Sequence, residues 1–192
     1  SLTGLTGLYA NFTKDNSTWD NSLDLGLGVI KQFAPGTKAS DIPWVKSDDK
    51  IDFTSKYGKK ASDKWFYSGL LNFKTQFLEG YDDPYAPDSS KNVISNLLAP
   101  AYAIGAIGMD FKPNKNFTAF ISPITAKATI VNDDNLSSIG AFGVDTNETL
   151  RLEYGLYLRL KYQKDVMKNV NFSSKFEWFQ NYEKFNNCRK WI

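Results

Sequence analysis

The side chains able to do chemistry are mostly carboxylates. Asp20 and Asp24 share a parity in WDNSLDLGLGVIKQ (19–32), so an extended chain sets both on one face. Two carboxylates on one face could divide acid and base work in glycoside hydrolysis, although nearby lysines make ion pairs the plainer reading. YDDPYAPDSS (81–90) and NDDN (132–135) cluster the oxygens that Ca²⁺ prefers. Neither has the spacing of a calcium loop, and turn-forming composition accounts for both. The chain has no histidine, which removes Ser-His-Asp and Cys-His catalysis and the commonest metal ligand. The single cysteine, Cys188, permits no disulfide within the chain. LGLGV and IGAIGMD space glycines in a way that superficially suggests nucleotide binding. That fingerprint needs a helix and a βαβ unit, and no helical pattern is legible. Six N-x-S/T sequons, at Asn11, Asn16, Asn116, Asn135, Asn147 and Asn171, are expected by chance in a chain rich in Asn, Ser and Thr. The expectation is no catalytic residue, no metal site and no cofactor.

The elements that carry these residues are strands. In TLRLEYGLYLRLKYQ (149–163), Leu150, Leu152, Tyr154, Leu156, Leu158, Leu160 and Tyr162 share one parity. Arg151, Glu153, Gly155, Tyr157, Arg159, Lys161 and Gln163 share the other. A period of two over this length is a strand with one oily and one charged face. Leu23, Leu25 and Leu27 oppose Asp20 and Asp24 in the same way. Eight strands are expected, at 2–12, 19–32, 50–61, 64–77, 99–112, 116–131, 149–163 and 169–182. Alternation is weak in the fifth and sixth, and Pro123 predicts an irregularity or a sheet edge. The polar parity collects Asp20, Asp24, Lys50, Asp52, Lys56, Lys74, Arg151, Glu153, Arg159, Lys161, Lys175 and Glu177.

The connections alternate in length. Those at 13–18, 62–63, 113–115 and 164–168 are short; those at 33–49, 78–98 and 132–148 are long. Outer-membrane barrels alternate this way, with short periplasmic turns and longer outer loops. A 13-residue strand covers roughly 43 Å, or about 33 Å of height at a tilt of ~40°, enough for an apolar band of ~25 Å. Aromatics make up 15% of the chain. Tyr9, Phe12, Trp19, Trp65, Tyr67, Phe77, Phe111, Phe117, Tyr154, Tyr162, Phe172 and Trp178 lie near strand ends, as in interfacial girdles. In a membrane Leu23, Leu25, Leu27, Leu150, Leu152, Leu156, Leu158 and Leu160 would face lipid, and the charged parity would face a lumen crossed by ion pairs. The net charge of +2 gives no ground for a nucleic-acid partner.

The expected fold is all-β: an antiparallel up-and-down meander forming most of a transmembrane β-barrel. Residues 1–192 form one domain. Its short first connection and its outer-rim finish imply a barrel incomplete at both ends, with ten or more strands in the whole. A soluble barrel or sandwich holding an apolar ligand on the Leu/Tyr face is the second reading. An envelope enzyme using carboxylates is the third.

WDNSLDLGLGVIK, DDKIDFTSKYGKKASDKWFYSGLLNFKTQF, ISNLLAPAYAIGAIGMDFKPN, FISPITAKATIVND, GAFGVD and YQKDVMKNVNF resemble a Bacteroidota family of outer-membrane-type β proteins of unknown function. The resemblance implies a protein of the bacterial outer membrane, partnered by the lipid bilayer and by other envelope proteins. It implies no catalytic residue. Residues 183–192 depart from the pattern.

Overall fold

The computed structural model describes residues 1–31, 42–86, 90–167 and 170–183. Its strands are β1 (Leu2–Lys14), β2 (Ser17–Ile30), β3 (Val45–Lys60), β4 (Trp65–Thr75), β5 (Gly80–Tyr81), β6 (Val93–Ser95), β7 (Ala101–Asn114), β8 (Phe117–Ile130), β9 (Leu150–Met167) and β10 (Val170–Asn181). Eight of them form one sheet in the order β1-β2-β3-β4-β7-β8-β9-β10. Each neighbouring pair is antiparallel. The expected all-β meander is therefore the observed architecture, and the sheet curls into a half-barrel. The curl has a physical signature. Lys74 Nζ on β4 lies 3.5 Å from Glu177 Oε2 on β10, four places along the sheet. Flat strands ~4.8 Å apart would separate those positions by roughly 19 Å.

Local chemistry sets the short connections. Asp15 takes a left-handed φ of 49° at the β1–β2 turn, a conformation that Asp tolerates better than most residues. Asn114 Oδ1 closes the β7–β8 turn, accepting the backbone N–H groups of Asn116 and Phe117 at 3.0 Å each. β9 runs to Met167, through most of the turn expected at 164–168; alternation lapses there while pairing with β10 continues.

The long connections carry structure that periodicity did not reveal. The one between β4 and β7 contains the β5–β6 hairpin. Asp49 on β3 anchors its start, accepting the N–H groups of Phe77 and Leu78 at 2.7 and 2.8 Å. The β8–β9 connection holds a short helix, α1 (Asp134–Ser138), and a 3-10 turn (Ala141–Gly143). Asp133 caps α1, accepting from the N–H groups of Asn135 and Leu136. NDDN is thus a helix start. Leu136 and Val144 pack with Ala99 and Val131 in a small buried cluster.

Pro123 does not mark a sheet edge, because β8 is paired on both sides. It sits in an irregularity where the β8–β9 register shifts between Ser122 and Thr125. Proline has no N–H to give the ladder, so the strand bulges there. Ser122 Oγ donates a hydrogen bond in the bulge, within 2.8 Å of the Ile107 carbonyl and 2.9 Å of the Ile124 carbonyl. Thr125 Oγ1 lies 2.8 Å from Ser122 Oγ. Two glycines are required by close approach. A Cβ on Gly108 would collide with the Ile121 carbonyl, and one on Gly155 with the Gln180 carbonyl.

Candidate functional site

Burial along β9 is inverted relative to a water-soluble sheet. Glu153 is 9% exposed and Arg159 7%, whereas Leu152 is 50% and Tyr154 55% exposed. A half-barrel has two unequal faces. Side chains on its concave face crowd together, and those on its convex face splay apart. The sequence puts charge on the crowded face.

Asp20, Asp24, Asp52, Lys56, Arg159, Lys161 and Lys175 line one open concave cavity of about 740 Å³. Lys74 and Glu177 join the surrounding ion-pair network, and Arg151 and Glu153 form a separate group with Lys127. Lys74 lies 3.5 Å from Glu177 and 3.9 Å from Asp52. Arg151 holds Glu153 at 2.8 Å. Glu177 is shared: its Oε1 accepts from the Tyr157 hydroxyl at 2.8 Å and lies 3.1 Å from Lys175 and 3.3 Å from Arg159. The polar-parity residues singled out by periodicity thus fall in this cavity, in the ion pairs at its wall, or, for Arg151 and Glu153, in a separate group with Lys127.

Periodicity missed the most buried charge among the described residues. Asp110 on β7 is fully buried and pairs with Lys56 at 2.6 Å, while Ser68 Oγ donates to its Oδ2 at 3.1 Å. It stands in the weakly alternating stretch IGMDFK, where no parity stands out. Cross-strand partners could have found it, since Phe66 opposes Asp110 in register and Ser68 lies two pairs away, on the same face. Also missed were Lys112 and Lys115, which line the cavity. Asn72 also belongs to the network; its amide donates to Asp52 Oδ1 at 2.8 Å and Thr54 Oγ1 at 2.9 Å. A small apolar cluster of Leu70, Ala106, Phe120 and Tyr157 packs on the same concave side. Lys56 Nζ lies 5.8 Å from the centroid of the Phe120 ring, within range of a cation–π contact.

The convex face is apolar across the sheet. Register aligns Leu23 with Leu8 and Phe53, and Leu25 with Ile51. A second row runs Tyr67, Met109, Ile121, Leu158 and Trp178. Leu27, Leu150 and Leu152 are exposed, while Leu156, Leu158 and Leu160 are half-buried by their neighbours on the same face. Aromatics gather toward the short-turn end. Phe12, Trp19 and Tyr57 align across three strands. The Trp65 and Phe111 ring centroids lie 4.8 Å apart with the planes tilted by 38°, and those of Tyr162 and Phe172 lie 6.1 Å apart. Tyr9 departs from the expected girdle. It lines the concave cavity, and its hydroxyl donates to Asp24 Oδ1 at 3.1 Å.

Among the described residues no group of His, Cys, Asp and Glu side chains is arranged to hold a metal ion. No helix among them is long and apolar enough to cross a membrane, a criterion that does not bear on crossing by strands. In the β5–β6 hairpin, Asp82 accepts from the side-chain amide of Asn92 at 2.9 Å and from the backbone N–H of Asp83 at 2.7 Å. These bonds favour its carboxylate and hold its pKa below the ordinary value.

The chain is similar to one known family: over residues 1–81 it matches the model described as "Protein of unknown function (DUF3078)". Neither a curated protein nor a solved structure matches the chain.

Proposed function

We propose that this chain forms most of an outer-membrane β-barrel of the Bacteroidota type, serving as a narrow channel or a structural subunit of an envelope assembly. One observation carries the reading: the charged face of the curled sheet is packed and ion-paired, and the apolar face is turned outward. In water, that arrangement leaves Leu152, Tyr154, Ile107 and Ile124 uncovered at the hydrophobic effect's full cost. In a bilayer the convex face meets acyl chains, and the buried charges meet each other and lumen water. From Leu150 to Tyr162, β9 spans roughly 30 Å of height at ~3.3 Å per residue and a tilt of ~40°. The aromatic rim at the short turns suits one interface.

The open edges support a larger closed structure. Among the described residues β1 and β10 are each paired on one side only and run 13 and 12 residues. Unpaired edges of that length invite further strands, and closure satisfies them inside a bilayer. The reading assigns no catalysis. A soluble barrel holding an apolar ligand would need the Leu/Tyr face inside, opposite to the observed curl. The test is gel mobility of full-length protein from washed outer membranes, boiled against unboiled. A faster unboiled band that disappears on heating supports a closed membrane barrel. Protein in the soluble fraction with no shift overturns the proposal.

A further inference from the structure

The concave cavity has unequal walls. On the β2–β3 side, Asp24 and Asp52 oppose each other in register. Like charges so placed repel, but this pair is compensated: Tyr9 donates to Asp24, and Asp52 has Lys50 at 3.6 Å and the Asn72 amide at 2.8 Å. On the β7–β10 side, Lys161 and Lys175 also oppose each other. Here the compensation fails. Among the described residues Lys112, Lys115 and Lys161 make no ion pair, and Glu177 is the carboxylate that Lys175 and Arg159 share. Lys74 draws on the same carboxylate.

Arg159 makes the deficit specific. Its side chain is 8% exposed, it lines the cavity, and its buried Nε lies 3.3 Å from Glu177 Oε1 without completing a hydrogen bond. The Glu177 Oε1 beside it already accepts from Tyr157. A buried guanidinium N–H left without a hydrogen bond costs free energy. Its planar fork fits tetrahedral oxyanions, phosphate above all.

We propose that the β7–β10 wall of this cavity is a binding station for small phosphate-bearing polyanions. Arg159 provides the oriented contact, and Lys161, Lys175, Lys112 and Lys115 supply charge. The proposal deepens the barrel reading by giving its lumen a solute class, and it rests on that reading for its setting.

The test uses folded, full-length protein in detergent, titrated calorimetrically with sodium pyrophosphate at low ionic strength. Saturable binding is expected. It should weaken at least about tenfold in Arg159→Gln, and similarly in Lys161→Gln/Lys175→Gln, because charge-assisted contacts to phosphate are lost. Lys127→Gln, whose side chain pairs with Glu153, should bind within about twofold of the parent, as expected for a charge outside the station. If Arg159→Gln does not fold, Lys115→Gln beside the β7–β8 turn replaces it, with a several-fold loss expected. No saturable heat, or binding indifferent to Arg159→Gln and Lys115→Gln alike, overturns the proposal. Gel mobility of the same sample separates the two claims. A heat-modifiable barrel without binding removes the station alone; binding without heat-modifiable mobility removes the membrane reading alone.

Discussion

Leu71→Arg separates a lipid-facing convex surface from a water-facing one. Leu71 lies near the middle of β4 and is 51% exposed. It shares the convex face with Gly105, its register partner on β7. In water an exposed Leu→Arg change away from special features stays within about 0.5 kcal/mol. At the midplane of a bilayer a barrel arginine costs about 2–4 kcal/mol. At 1.4 kcal/mol per tenfold, that is a drop of roughly 30- to 700-fold in the folded-to-unfolded ratio. Leu152→Arg provides the depth control. Leu152 lies at the long-loop end of β9, where the cost should fall to about 0–1 kcal/mol. The assay is reversible guanidinium unfolding from phospholipid vesicles, read by heat-modifiable mobility. A Leu71→Arg change below about 0.5 kcal/mol, or one equal to that of Leu152→Arg, would refute the reasoning.

Lys56→Met should destabilise by about 3–5 kcal/mol, since it strands the fully buried Asp110 charge; Lys56→Met/Asp110→Leu should recover much of the loss, read from the denaturant midpoint. Gly108→Ala and Gly155→Ala should each weaken folding by more than about 1 kcal/mol, because the new methyl meets a backbone carbonyl. Gly69→Ala and Gly105→Ala, where a Cβ meets nothing within 4 Å, should be neutral or stabilising by up to about 1 kcal/mol in the same denaturant titration. The depressed pKa of Asp82 gives the β5–β6 hairpin a stabilisation present above the ordinary aspartate pKa and lost as pH falls through the lowered one. Amide exchange at Asn92 should therefore speed up, beyond its intrinsic pH dependence, only in that acidic window, and Asp82→Asn should abolish the pH effect.

Strands were legible wherever one side of the sheet demanded charge and the other demanded oil. β9 shows this most plainly, because each of its alternate residues answers to a different environment. β7 and β8 were harder to read for a physical reason. Their concave positions hold Ala106, Phe120 and Ile104 in the apolar cluster, so both faces are apolar and the parity signal cancels. The fully buried charge there, Asp110, is defined by Lys56 and Ser68 on other strands, which local periodicity cannot register. α1 was missed because its five residues are too few to display a 3.6-residue period; the Asp133 cap was its visible sign. Tyr9 was grouped with the girdle by type, but its parity sends it to Asp24. The ionic network itself followed from alternation, whereas the imbalance between its two walls depends on which strands the curl brings face to face.

The most direct test of the central claim is a site-directed spin-label scan along β9 in vesicles, from position 150 to 162, in a Cys188→Ser background. Oxygen partitions into acyl chains, and a polar nickel chelate stays in water. We expect Leu152, Tyr154, Leu156, Leu158 and Leu160 to collide preferentially with oxygen, with Arg151, Glu153 and Lys161 showing the opposite preference. Nickel accessibility at the leucine positions, with or without alternation, would contradict a bilayer on the convex face.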